Sequence, residues 1–267
     1  MEVDYSSINK GFSRQAGKFD EEDKSNVILQ WMRGRVRAHV ERHLEKGKKI
    51  LELNAGTGLD AMYFAKQGFK VHATDLSEGM IKEIQDKIVL NNLRENLSVQ
   101  QLSFTQMQQV ENAPFDYVFS NFGGLNCIPD LSEVGKNLSP KLNYGSYLTL
   151  VIMPHVCPWE MILLMKGNWK RAFRRFKKHG TMANLEGEKF ITYYFSPQQV
   201  KNAFGKNFKL LELEGLGTFC PPPHRKDFAA VNPSFFRSAT RLDEILCHTF
   251  PFNRWCDHFI ITLQYLP

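Results

Sequence analysis

The residues best suited to chemistry by type and spacing lie in one stretch, ILELNAGTGLD (Ile50 to Asp60). An apolar run carrying an acid near its end, Glu52, leads into a turn of small residues from Asn54 to Gly58, and then into a helical pattern. A strand, a small-residue turn and a helix N-terminus together let a nucleotide-type ligand approach bare backbone and meet unpaired N–H groups. The next apolar run, KVHATD, ends in Asp75, where a carboxylate can accept hydrogen bonds from ribose hydroxyls. Gly56 to Ala61 also satisfies the G-x-G-x-x-G/A dinucleotide fingerprint, so on these residues alone an NAD(P)-dependent oxidoreductase stays open.

A proton acceptor working near neutral pH points to histidine. His155, just after the apolar run YLTLVIM, is the first candidate base, His224 after the triple proline the second, and His258 the third. Asp257 could orient His258, but adjacent residues on a strand face opposite sides, so a direct couple is not expected. The segment from Met161 to Gly180 carries Lys166, Lys170, Arg171, Arg174, Arg175, Lys177 and Lys178 with no acid, interleaved with Trp169, Phe173 and Phe176. It reads as a basic, aromatic helix that could meet an anionic surface, a phosphate-bearing or lipid-like substrate or RNA, or pack on the core as a lid with its charges in water. These cations account for the formal net charge of +6, so the basicity is local and a general nucleic-acid partner is disfavoured.

Elements that could position these residues follow from periodicity. Ile28, Met32, Val36, Val40 and Leu44 recur every fourth residue and mark an amphipathic helix over Asn26 to Lys46. Strands are expected at Lys48–Asn54, Lys70–Asp75, Leu97–Ser103, Phe115–Phe122 and Tyr147–Met153. Helices are expected between them at Leu59–Lys66, Ser77–Asn92 and Leu131–Leu138. Two more strands, Phe208–Phe219 and His258–Leu266, follow a helix at Ser196–Phe204 with Pro197 at its first position. This alternation predicts a doubly wound α/β fold around a seven-stranded, mostly parallel sheet. The organisation divides into an N-terminal helical lid at 1–47, a Rossmann-like core at 48–153, an inserted basic cap at 154–195 containing a short strand, KFITYYF, and completion of the sheet at 196–267 with a second insertion at about 221–255. At 267 residues, with 43 % hydrophobic and 23 % charged residues, collagen-like, disordered and coiled-coil classes are excluded. Five cysteines without a C-x-x-C pair predict neither a disulfide framework nor a zinc site, and no metal is expected. Apolar runs fall far short of the roughly 18 residues of a membrane span, and the start lacks a signal-like pattern, so a cytoplasmic protein is expected.

The run Glu52-x-x-x-Gly56-x-Gly58 resembles motif I of the class I S-adenosylmethionine-dependent methyltransferases, and VHATDLSEGMI resembles the family's next motif, down to Asp-Leu-Ser-x-x-Met. FDYVFSNFGGLNCIPDL is similar to the family's fourth-strand motif, and DHFIITLQY to its closing antiparallel strand. The resemblance implies S-adenosylmethionine as cofactor, S-adenosylhomocysteine as product, and methyl transfer to a small-molecule or lipid-like acceptor, anionic ones included. It implies cofactor contacts from Glu52, Asn54, Ala55, Gly56, Thr57, Gly58, Asp75, Leu76, Met80, Ser103, Phe104 and Asn121, with Phe12 and Phe19 of the lid closing over them. Acceptor contacts are expected from Phe122, Asn126, Trp159, Tyr193 and Tyr194, and from the candidate bases. Two positions depart from the family pattern: Asn54 replaces a usual glycine, and Ser103 replaces the aspartate that usually faces adenine. Asn121-Phe122-Gly123-Gly124 replaces the Asn/Asp-Pro-Pro-Tyr pattern of amino-group methylation on DNA bases, which is therefore disfavoured. Besides the oxidoreductase, a non-catalytic cofactor-binding protein and an RNA methyltransferase are the alternatives.

Overall fold

The structure, a computed structural model, describes residues 3–267. Its helices are α1 (Tyr5–Ser25), α2 (Val27–His43), α3 (Leu59–Lys66), α4 (Glu78–Leu90), α5 (Ser132–Leu138), the short α6 (Pro158–Met161) and α7 (Trp169–Ala172), α8 (Pro197–Phe204), α9 (Lys226–Val231) and α10 (Pro233–Leu246). Its strands are β1 (Lys49–Leu53), β2 (Lys70–Asp75), β3 (Leu97–Gln101), β4 (Phe115–Ser120), β5 (Leu142–Ile152), β6 (Thr181–Leu185), β7 (Glu188–Thr192), β8 (Phe208–Leu216) and β9 (His258–Tyr265). Seven of them form one sheet in the order β3-β2-β1-β4-β5-β9-β8, with only β9 antiparallel to its neighbours.

The apolar strand runs reflect burial on both faces of this sheet. Along β1, Ile50 joins the core formed with α2, α3 and α4, whereas Leu51 and Leu53 join the core formed with α5 and α8. Period-two alternation therefore sends Glu52 to the α2 side. The four-residue stripe of α2 is fully buried at Ile28, Met32, Val36 and Val40, and Asn26 caps the helix by accepting from the N–H groups of Ile28 and Leu29. The chain winds outward from β1 to β3 and then returns to β4 beside β1. Such a reversal leaves a crevice at the carboxyl ends of β1 and β4.

The cap differs from the expected single helix. Gly167 takes a left-handed φ of 70° and Asn168 starts a new N-cap, so the chain from Pro158 to Phe176 breaks into α6, α7 and two further single turns. A hairpin, β6-β7, then replaces the single expected strand KFITYYF; its turn at Glu186-Gly187 has positive φ at both residues. Two of the seven cations are paired: the half-buried Arg174 and the buried Arg175 both pair with Glu160, and Arg175 also pairs with Asp257. No described helix is long and apolar enough to cross a membrane.

Candidate active site

A cavity of about 270 Å³ occupies the crevice, lined from β1 by Glu52, from its turn by Asn54 to Gly56, from β2 by Asp75 and from β4 by Asn121 to Gly124. Gly56 and Gly58 adopt φ of 57° and 77°, and Asn54 follows at 45°, a region asparagine tolerates better than most residues. The Asn54 side chain is put to use: its Nδ2 donates to the Asn121 carbonyl at 3.0 Å and its Oδ1 accepts from Ser120 at 2.7 Å, tying the turn to the end of β4. A Cβ at position 124 would lie 2.3 Å from Asn54 Cγ, so glycine at 124 accommodates asparagine at 54.

Asp75 accepts from the backbone of Gly56 and of Ser77, each at 2.8 Å, and burial still pushes its carboxyl up to about 6. Glu52 is raised well above the ordinary carboxylate range by burial, reinforced by neighbouring Asp60, and its Oε2 has no hydrogen-bond partner within the chain. Arg33 of α2 lines the same cavity, near enough for its charge to act on Glu52. Its Nη1 pairs with Asp60 and its Nη2 with Asp23 at 2.7 Å, but its Nε is buried without a partner. Burial alone would raise Asp60, yet Arg33 and Arg37 outweigh it and hold that carboxyl below its ordinary value. An orphaned acceptor and an orphaned donor on one cavity wall are the complement of an amino acid's ammonium and carboxylate, because leaving either atom buried and unpaired costs about 1–3 kcal/mol.

Phe122 has φ 48°, which a bulky residue adopts only under strain of about 1–3 kcal/mol. The Arg33 guanidinium lies 4.8 Å from its ring centroid and His258 meets the ring edge-on at 6.2 Å, so its surroundings fix it against the cavity. The remaining wall is apolar. Tyr5, Ile8, Phe12 and Phe19 come from α1, Phe190 from β7, and Phe104, Cys127, Ile128 and Met153 from the sheet side. Burial and neighbouring Asp75 push the Cys127 thiol up to about 12, so it acts there as a small apolar surface. The lid helix α1 is held to α4 by Ser13 and Ser77, whose hydroxyls are 2.8 Å apart, and to the hairpin by Arg14–Glu188 at 2.9 Å and Lys18–Glu186 at 2.8 Å.

Of the residues singled out from sequence, Glu52, Asn54, Ala55, Gly56, Asp75, Leu76, Met80, Ser103, Phe104, Asn121, Phe122, Phe12 and Phe19 line this cavity. Thr57 and Gly58 do not. Thr57 instead bonds Asp20 of the lid and gives its carbonyl to Lys87, and Gly58 caps α3. Ser103 caps the turn that follows it and bonds Thr105 at 2.8 Å. The expected histidines lie elsewhere. His155 has both ring nitrogens occupied, by the Arg175 carbonyl at 2.9 Å and Gln199 Oε1 at 3.0 Å, within the cap and against α8. His224 stands in an outer cleft with Trp159, Arg171 and Arg225. Trp159 donates to the Phe219 carbonyl at 3.2 Å, Tyr194 lies beneath the Arg175 guanidinium, and Tyr193 faces a separate cleft. Asn126 is buried as a cross-tie, donating to the carbonyls of Met153 and Tyr193. The insertion at about 221–255 contributes no cavity residue. Asp257 and His258 do form a couple, 3.1 Å apart, because Asp257 precedes β9 and strand alternation does not govern it. Arg33, Asp60, Tyr5, Ile8, Phe190 and Thr192 were not identified from sequence; the position of Arg33 on α2, outside its apolar stripe, was the one available signal.

Residues 50–144 match a family model described as a methyltransferase domain. A ubiquinone biosynthesis O-methyltransferase from Rickettsia akari is 32 % identical over 93 residues, covering 34 % of this chain and 37 % of that protein. The match thus spans little more than a third of the curated relative. Among solved structures, a 1,6-didemethyltoxoflavin N1-methyltransferase from Burkholderia thailandensis, crystallised with S-adenosylhomocysteine, superposes with a TM-score of 0.60 at 14 % identity over 98 % of this chain and 88 % of that one. The cyclase SpnF superposes at 0.55 with 13 % identity over 87 % and 80 %. These likenesses establish the fold. With the methyltransferase-domain match running from β1 to the start of β5 inside that sheet, residues 50–144 are similar to a methyltransferase domain, and the chain has the class I methyltransferase fold.

Proposed function

We propose that this protein transfers the methyl group of S-adenosylmethionine to a small, largely apolar acceptor that carries neither phosphate nor carboxylate. The observation that carries the reading is the division of one cavity into two chemically distinct parts. One part offers Arg33 Nε, Glu52 Oε2 and Asp75, and the other offers aromatic and aliphatic side chains from α1, β7 and the β4–β5 side. Arg33 and Glu52 would hold the amino-acid end of the cofactor, Asp75 the ribose, and Leu76, Met80 and Phe104 the apolar face of the base. The bound cofactor supplies a methyl carbon already activated on a sulfonium. What remains for the chain is to align the acceptor and exclude water, which the apolar wall and the lid are built to do.

No histidine lines the cavity among the described residues. The site therefore suits an acceptor that arrives nucleophilic, such as an amine, a thiolate or an ionised enol or phenol. The basic residues of the cap do not line the cavity either, and Arg33 is engaged by Asp23 and Asp60, which weighs against a phosphorylated or carboxylated acceptor. Calorimetric titration with S-adenosylmethionine, S-adenosylhomocysteine and NADH tests the cofactor. Binding of the first two and not the third is expected; binding of NADH alone would sink the reading. A screen of apolar amines, thiols and phenols for S-adenosylhomocysteine release then tests the acceptor class, and turnover confined to phosphorylated or carboxylated acceptors would overturn it.

A further inference from the structure

The cap presents a surface that the reaction does not use. Ile162, Met165, Trp169, Phe173 and Phe176 are all exposed, Met165 at 88 % and Trp169 at 63 % of full accessibility. Trp169 stacks on Phe173 and Phe173 meets Phe176 at a tilt of 57°, with ring centroids 6.1 and 5.9 Å apart, so the aromatics form one continuous ridge. Lys166, Lys170, Arg171, Lys177 and Lys178 are exposed along the same segment, and none takes part in an ion pair among the described residues. The back of the segment, by contrast, is pinned. Arg174 grips Glu160 with two bonds of 2.6 and 2.7 Å. Arg175, buried, gives its Nε to Glu160, its Nη1 to the Pro154 and Asp257 carbonyls, and its Nη2 to the Asp257 carboxylate. The ridge is therefore held in place by interior contacts, while its outer face has no partner within the chain.

We infer that this ridge docks the protein on an anionic phospholipid surface. The charge complementarity is direct: unpaired cations flank an apolar ridge, so headgroup phosphates would meet the lysines while the ridge enters the acyl boundary. RNA fits less well. Stacking on a base needs an open aromatic face, whereas Trp169 and Phe173 stack on each other and Phe176 on His155, and Ile162 and Met165 have no stacking face to offer. The inference is independent of the methyl-transfer reading, since none of these residues lines the cavity.

Co-sedimentation of the full chain with vesicles of phosphatidylcholine and phosphatidylglycerol in equal parts, against pure phosphatidylcholine, tests it. Binding is expected to the anionic vesicles only and to fall as salt is raised. Replacing Met165 and Trp169 by Ser should lower the partition coefficient by at least about tenfold, because each loses an apolar side chain worth roughly that factor on burial. Lys166→Gln with Lys170→Gln should lower it by a similar factor. Leu90→Ser, which removes an exposed apolar side chain from α4, should leave it unchanged. Titration of each variant with S-adenosylmethionine reports on folding apart from docking. Absence of wild-type binding to anionic vesicles, equal loss in Leu90→Ser, or capture of single-stranded RNA without vesicle binding would overturn the inference.

Discussion

Two buried arginines can be set side by side. Arg33 and Arg175 each clamp two carboxylates from different elements, Asp23 and Asp60 in one case and Glu160 and Asp257 in the other. They differ in what is left over. Arg175 has a partner at each of its three guanidinium nitrogens, with two backbone carbonyls at Nη1, whereas Arg33, which lines the cavity with Glu52, keeps a buried unpartnered Nε, as Glu52 keeps an unpartnered oxygen. A saturated buried cation joins segments; one with a spare donor still has a hydrogen bond to give. The neighbouring acids follow the same division: Asp257 is buried, yet His258 and Arg175 hold it well below the carboxylate range, while Glu52 and Asp75, which lack such partners, are pushed up.

The largest effect that would test this contrast is on stability. Arg175→Met should cost about 3–5 kcal/mol, since it strands Glu160 and Asp257 in the interior, yet leave the cofactor affinity of the folded fraction within about twofold. Denaturant unfolding and calorimetry together measure it, and lost affinity with intact stability would invert the contrast. Arg33→Lys should do the opposite. It keeps a charge for Asp23 and Asp60 but loses the Nε donor, so S-adenosylmethionine affinity should fall about tenfold to a hundredfold. Asp75→Ala should weaken cofactor binding by at least about tenfold, or about 1.4 kcal/mol, through loss of the ribose acceptor; unchanged affinity would remove Asp75 from the site.

A smaller effect should appear in pH. Hydroxyl donors prefer the carboxylate, and Asp75 titrates at about 6, so cofactor affinity should rise as pH increases through that value and decline below it. Because Glu52 is also raised, an ammonium bound beside it should expel its proton, and calorimetric heats should vary with the ionisation enthalpy of the buffer. Heats independent of the buffer would argue against Glu52 as the ammonium partner. The smallest change is expected for His155→Ala, which should leave turnover within about twofold, since both ring nitrogens are engaged away from the cavity. A drop of a hundredfold would restore it as a base.

The core was legible because its signals are local. Ile50 to Asp60 combines a buried strand, a turn that only small or asparagine-like residues tolerate, and a helix start, and Ser77 caps α4 as its position before the helix implies. Cap and histidine assignments failed for the opposite reason. His155 follows a strand at the functional edge of the sheet, but its side-chain direction depends on Arg175 and Gln199, 20 and 44 residues further along the chain. The basic segment has helical periodicity, but Gly167 ends the turn, and Arg174 and Arg175 are drawn inward by Glu160 and Asp257. No local pattern distinguishes those two cations from the exposed lysines beside them.

By itself, then, the sequence determined the order of strands and helices, the glycine turn and the placement of Glu52 and Asp75 at strand ends, since period and backbone preference act over a few residues. Tertiary structure decided which charged groups share a cavity wall, that Asn54 ties β1 to β4 across Gly124, that α1 and the β6-β7 hairpin wall one side of the cavity, and that the cap turns its ridge outward. Those outcomes depend on contacts between residues distant in the chain, where burial and pairing are settled jointly by every element that packs there.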